Sequence, residues 1–289
     1  KNPEAQVVLG DLRRGRGEFD PAIAAYNSAL GLRKDYPEAL FGRAAANLGK
    51  QQYNPALADV TRAIQLKPNW SDAFLLKGQV HEAMGQFDAA NQSFELARKN
   101  NPDNPYLYAE MGNLAAKRQD IAGAIAAYEK SLSLFEPNPD AHFRLAQLYF
   151  SQRQFDSAVK QFQRVQQLDG QWPRTNYWIG RSFAFLNKAN EAQAALEKTV
   201  QQEPNFVEGH FELGNVYRAQ GKRDLALNQY DEALKLQPAY GPAWLNKGQV
   251  YEELVNLPQA RQAYEKALAS PDPQVKDAAN NALRKLGVK

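Results

Sequence analysis

Small and apolar positions return along this chain every 34 residues. One column holds Gly10, Ala44, Gly78, Gly112, Ala146, Gly180, Gly214 and Gly248, and twelve residues later a second holds Ala22, Ala56, Ala90, Ala124, Ala158, Ala192, Ala226 and Ala260. Around each column the apolar residues are spaced three or four apart, as in Phe211, Gly214 and Tyr217, or Ala226, Tyr230, Ala233 and Leu234. That period predicts two helices per block. Gly17, Gly85, Gly221 and Asn187 fall between the two helices, where a left-handed residue ends the first. Pro68, Pro102, Pro204 and Pro238 align near the block ends, with Pro137 and Pro271 one residue away. Proline has no N–H and stops the second helix.

The predicted blocks are residues 3–36, 37–70, 71–104, 105–138, 139–172, 173–206, 207–240 and 241–274, with 275–289 left over. In that remainder Val275, Ala278, Ala279, Ala282, Leu283 and Leu286 make one apolar stripe, which predicts a helix capping the end of a stack and stopped at Gly287. The small columns have a mechanical reason, since antiparallel helices approach closely only where neither carries bulk at the crossing. Large residues beside them, such as Phe94, Tyr128, Phe162, Tyr230 and Tyr264, are expected to fill the space against the next hairpin.

The arrangement resembles the tetratricopeptide repeat family over nearly the whole chain. Block seven carries Leu213, Gly214, Tyr217, Ala226, Tyr230, Ala233 and Pro238 in the family's order, and block eight adds Trp244. The resemblance implies an all-α fold, a right-handed superhelical solenoid of antiparallel hairpins whose first helices line an inner groove. Arg43, Lys77 and Lys247 replace the usual Leu, and Ala189 and Arg223 replace an aromatic, so a looser joint is expected at blocks six and seven.

Composition narrows the function. With 44% hydrophobic and 23% charged residues the chain is too apolar for disorder, and it has no apolar run long enough for a membrane span. Its 35 cations against 32 anions leave a formal charge of +3, and the segment from Val275 onward supplies that surplus. Nucleic acid and anionic membrane are therefore not expected as partners. Cysteine is absent, which excludes disulfides and thiolate metal sites and leaves the compartment open. The chain starts at Lys1 without an initiator Met or a signal-peptide pattern, as expected of a processed product or a piece of something longer.

The candidates for chemistry are weak. His81, His142 and His210 lie in different blocks, and His81-Glu82 lacks the second His of the zinc-protease pattern because Gly85 stands there. His142 and His210 occupy the place of Trp244, which points to packing. Ser182 has no strand before it and no second Gly of a nucleophile elbow. Asn69-Trp70-Ser71 and Asn91-Gln92-Ser93 match the glycosylation triplet. No cofactor, no metal and no catalysis are expected.

Counting from Pro3 as position 1, packing positions 4, 7, 8 and 11 leave 2, 5, 9, 12 and 13 on the opposite face of each first helix. Position 9 is polar in seven of eight blocks, as a wet wall requires, whereas position 5 is mostly apolar and is expected to be partly buried. Blocks five and six place Phe150 and Phe185 at positions 12 and 13, where other blocks have Arg14, Glu82, Lys117, Arg218 and Glu252, so both rings are expected to be exposed. With them the geometry gathers Arg144, Gln147, Arg174, Tyr177, Arg181, Asn215 and Arg218. Arg and aromatic residues dominate binding hot spots. The expected partner is an extended or helical peptide bearing acidic groups.

The carboxylate-clamp and asparagine-ladder residues of some family members are missing, since only Asn246 stands at the ladder position. The chain reads as a non-catalytic scaffold or adaptor for a protein or peptide partner. The alternative is a substrate-recognition arm of a larger enzyme, such as a glycosyltransferase, with its catalytic domain outside this segment. Self-association through the uncapped first repeat is a third expectation.

Overall fold

The structure, a computed structural model, describes residues 2–287. Among them there are seventeen helices and no strand, and no helix is long and apolar enough to cross a membrane. The chain divides into two compact units, residues 1–141 and 142–289. The first holds α1 (Pro3–Gly15), α2 (Phe19–Leu32), α3 (Pro37–Gly49), α4 (Tyr53–Leu66), α5 (Ser71–Ala83), α6 (Phe87–Asn100), α7 (Pro105–Lys117) and α8 (Ile121–Leu134). The second is built from α9 (Pro139–Ser151), α10 (Phe155–Leu168), α11 (Thr175–Phe185), α12 (Ala189–Gln202), α13 (Val207–Ala219), α14 (Arg223–Leu236), α15 (Gly241–Glu253), α16 (Leu257–Ala267) and α17 (Pro273–Lys285).

Every second helix of a pair, from α2 to α16, starts 34 residues after the last, so the sequence register is the structural register. The alanine column from Ala22 to Ala260 is fully buried in all eight hairpins. It faces the glycine column, whose lack of a side chain is filled by a ring: a methyl on Gly214 would stand 2.6 Å from Tyr230, and one on Gly248 2.5 Å from Tyr264. Gly180 meets Leu196 in place of a ring; of the two blocks with alanine in this column, that of Ala44 holds Val60 at the ring position and that of Ala146 keeps a ring, Phe162. Tyr26 is inserted between Gly10 and Gly42 and has no solvent exposure.

The turns are more uniform than their sequences. Gly17, Gln51, Gly85, Gln119, Arg153, Asn187, Gly221 and Val255 all have φ between 57° and 75°. Each is followed by a residue whose N–H donates five residues back, as Glu18 N does to Arg13 O and Asn256 N to Tyr251 O. This is the Schellman closure, which needs a left-handed residue whatever its side chain. Glycine signals it in three of these eight turns; Val255 adopts it against the preference of a β-branched residue.

Two expectations change. The joint at blocks six and seven is not loose: Tyr177, Leu196, Phe206, Leu213, Tyr217 and Tyr230 belong to one buried cluster. Across that joint the Tyr217 hydroxyl donates to Glu197 at 2.8 Å. Helix α11 starts at Thr175, two residues later than the register predicts, because Pro173 precedes a left-handed Arg174 with φ 59°. The terminal helix starts at Pro273 and caps the stack as expected, burying Val275, Ala279 and Leu283 in one cluster with Tyr264. Gly287 ends it with φ 77°, while residues 288 and 289 lie outside the described residues.

Candidate functional site

In residues 142–289 the first helices α9, α11, α13 and α15 carry the candidate residues. Arg181, on α11, stands at the centre. Its guanidinium carbon lies 5.1 Å from the Phe150 ring centroid, 5.4 Å from Tyr177 and 5.3 Å from Trp178. Its Nε is 3.1 Å from Glu212 Oε1, an ion pair off the angle of a hydrogen bond. A cation over aromatic faces is favoured by the ring quadrupoles, more so where water is excluded. Arg181 is therefore held on one side by rings and on another by a carboxylate.

From Glu212 the contacts continue along α13. Asn215 Nδ2 donates to Glu212 Oε2 at 3.0 Å, and Asn215 Oδ1 accepts from the Tyr230 hydroxyl at 2.9 Å and from Asn246 Nδ2 at 2.7 Å. Arg218 Nε donates to Glu253 Oε1 at 2.7 Å and its Nη1 bonds Gln249. Asn215, Arg218, Ala219, Asn246 and Glu253 line an open polar pocket of about 430 Å³. Burial and the neighbouring Glu208 and Glu212 push the Tyr240 phenol up to about 12, so the field on this wall is not simply basic.

The remaining predicted residues divide. Phe150 is half-buried rather than exposed, because Phe155, Trp178 and Phe185 pack around it at centroid distances of 5.1 to 5.6 Å. Phe185 is 50% exposed, as expected. Tyr177 is buried against Phe206, and burial raises its phenol despite the opposing Arg181. Arg174 does not lie on a helix face: its guanidinium sits 4.4 Å over Phe206 and 3.8 Å from Glu203. Gln147 is half-buried on α9, and Arg144 is exposed there.

Sequence reasoning missed Glu212, Glu253 and Trp178. The carboxylates stand 31 and 35 residues after the arginines they meet, a separation that the repeat period makes adjacent. The polar column at position 9 also has a second cause. Asp11, Asn113 and Asn215 each accept a hydroxyl from the tyrosine of their own hairpin, Tyr26, Tyr128 and Tyr230. Position 5 is half-buried or buried in all eight blocks.

The histidines have structural bonds. His210 contacts Gln229 Oε1 at 2.8 Å and Pro204 O at 2.9 Å, His142 contacts Gln161 at 2.6 Å, and His81 contacts Gln86 at 2.7 Å. Ser182 donates to Trp178 O within its own helix at 2.7 Å. Among the described residues no group of three or more His, Cys, Asp or Glu could hold a metal ion.

Comparison with known proteins agrees with this geometry. The family described as Tetratricopeptide repeat matches residues 75–132, 178–222 and 211–275, together more than half of the chain, and a second TPR repeat family matches 10–51. The family of subunit 3 of the anaphase-promoting complex, or cyclosome, matches 117–199. Curated protein sequences give no significant match. Among solved structures, YrrB, described as a TPR protein with an unusual peptide-binding site, is 23% identical, with a TM-score of 0.56 over 65% of this chain and 97% of its own. PilF of Pseudomonas aeruginosa is 18% identical, with a TM-score of 0.65 over 75% of this chain and 97% of its own. The Cut9–Hcn1 hetero-tetramer of the anaphase-promoting complex is 17% identical, with a TM-score of 0.61 over 86% of this chain and 49% of that one. At such identities the likeness shows the fold, and with the sequence matches it leaves one assignment: this chain belongs to the tetratricopeptide repeat family.

Proposed function

We propose that the chain is a non-catalytic scaffold that holds a peptide or protein segment on the wall formed by α9, α11 and α13. The observation that carries this reading is the fixed position of Arg181 among three rings and Glu212. A wall whose side chains are already ordered loses little entropy when a partner binds. Tetratricopeptide proteins are in general interaction scaffolds, and YrrB is described as having a peptide-binding site. An acidic partner would bind by exchange, since Arg174, Arg181 and Arg218 each already meet a glutamate. Such binding weakens with salt. The test titrates the purified chain with a synthetic peptide library by fluorescence polarisation, comparing the wild type with Arg144→Glu and Gln147→Ala combined. Loss of binding at an unchanged melting temperature supports the wall; undiminished binding in the variant, or no peptide bound at all, removes it.

A second reading, self-association, has its own observation. In α1 the residues Ala5, Val8, Leu9 and Leu12 form an exposed stripe, and Leu12 is 59% exposed. The same column is buried in later hairpins, at Ala46, Val80, Leu114, Val216 and Val250. A second copy of the chain would cover it. Light scattering across a concentration series, with Leu12→Glu as control, decides: a constant monomer mass, or a dimer indifferent to the substitution, rejects it.

A further inference from the structure

Two rings stand at the edge of the Arg181 network, Phe185 half exposed and Phe155 partly buried. Phe155, at the start of α10, stacks on Phe185, at the end of α11, with centroids 4.7 Å apart and planes 6° from parallel. Phe150 meets both edge-on, at 5.3 and 5.6 Å, and so fixes the pair from beneath. The hairpin architecture does not need a ring at Phe185, because the other seven blocks have Gly15, Gly49, Ala83, Lys117, Ser151, Ala219 and Glu253 at that position. A lone exposed apolar residue would mean little, but a stacked pair on a rigid base is an anchor geometry.

Charge around the pair gives the partner's chemistry. Arg153, two residues before Phe155, is exposed on its left-handed turn and has no acidic partner among the described residues. Lys188, three residues after Phe185, meets Asp156 at 3.8 Å and lies 5.9 Å over the Phe183 ring. Two cations thus face one carboxylate here, as Arg218 and Arg223 share Glu253 on α15, but only here do they flank a stacked pair of rings. The unused binding capacity of this unit is therefore an aromatic face with surplus positive charge beside it.

We propose that the Phe155–Phe185 pair is the docking anchor for a partner segment carrying an aromatic side chain next to a carboxylate. The partner's ring packs on the open face of Phe185, and its carboxylate pairs with Arg153 and Lys188. Apolar contact supplies the affinity, and the rim charges set orientation and on-rate. This inference rests on the proposed scaffold function and moves its energetic centre from the arginines to the stacked rings.

The test uses the whole chain and two synthetic fluorescent peptide sets of equal length, one pairing Phe or Trp with Asp or Glu, the other pairing the same aromatics with Lys. Polarisation titrations compare the wild type with Phe185→Ala, Phe185→Leu and Arg153→Glu, each checked by thermal melt. The aromatic-acid set should bind at least about tenfold tighter than the aromatic-lysine set. Phe185→Ala should remove that binding, Phe185→Leu should keep part of it, and Arg153→Glu, on an exposed turn, should shift the preference toward lysine. Peptide binding that ignores Phe185, or a charge preference unchanged by Arg153→Glu, overturns the anchor and leaves the scaffold reading standing. No binding of either set, nor of the wider library, defeats both.

Discussion

The Tyr26 hydroxyl donates to Asp11 Oδ1 at 2.7 Å, joining the second helix of the first hairpin to the first. The ring is fully buried between Gly10 and Gly42, while the carboxylate that its hydroxyl meets stands at the surface, 49% exposed. The same bond recurs at Tyr128 and Asn113, and at Tyr230 and Asn215. It ties hairpin closure to a polar residue at position 9, and it makes the fold sensitive to base.

Burial, followed by the Asp11 bond, pushes the Tyr26 phenol up to about 12. In the unfolded chain a tyrosine ionises near 10. The contribution to stability is therefore complete below about pH 10 and is lost as pH rises from there toward about 12, because only the unfolded state releases the proton in that window. Tyr217 and Tyr240, also near 12, add to the same loss. Thermal melts taken across that window should fall steeply, and Tyr26→Phe should flatten the fall while lowering stability at neutral pH. An equally steep fall in the variant contradicts the assignment.

Val255 supplies a gain. It holds φ 60° with 79% of its surface exposed, so its side chain contributes almost no packing to offset a left-handed backbone. That conformation costs an L-residue roughly 1–2 kcal/mol, and glycine returns part of the gain as entropy in the unfolded chain. Val255→Gly should raise stability by about 0.5–1 kcal/mol, whereas Gly221→Val, the reverse change at the matching turn, should lower it by a similar amount or more. Denaturant midpoints moving in the same direction for both substitutions would refute the strain.

How far the sequence carries depends on whether a feature repeats within one block or joins two. Helix pairs, the buried alanine column and the terminal cap follow from a period of 34, because each needs only residues of its own hairpin. The left-handed turns at Gln51, Gln119, Arg153 and Val255 were hidden, since hydrogen bonding to the preceding helix imposes that conformation on residues that do not advertise it. At the candidate wall Phe185 was legible as an oddity of its column, but Glu212 and Glu253 were not, because each meets an arginine of the preceding block. Position 9 was ambiguous for a similar reason: a polar residue suits both a wet wall and a buried tyrosine hydroxyl.

Arg181 illustrates the cost of that omission. Read as a free groove cation, it would tolerate charge reversal without loss of stability. In the structure Arg181→Glu would set a carboxylate against Glu212 and under three aromatic faces. The expected loss is about 2–4 kcal/mol, since breaking one side of a mostly buried pair leaves its partner unmatched. Exchanging the charges, Arg181→Glu with Glu212→Arg, should recover part of it. Chemical denaturation of the two single variants and the double measures the coupling directly; additive losses would mean that the pair does not interact.

The contact between glycine and ring offers the sharpest control because the chain contains its own alternative. At Gly214 a methyl would press on Tyr230 at 2.6 Å, and the ring is enclosed with no exposure. Gly214→Ala should therefore destabilise by roughly 1–3 kcal/mol, the usual range for overpacking a filled core. Block five keeps a ring, Phe162, in one buried cluster with its Ala146, but block two seats Ala44 beside the smaller Val60. Adding Tyr230→Val to Gly214→Ala recreates that pairing and should relieve the clash, although Asn215 then loses the hydroxyl it accepts. The double variant should be more stable than the two separate losses predict, by about 1 kcal/mol or more. Strict additivity would show that the methyl and the ring do not compete for the same space.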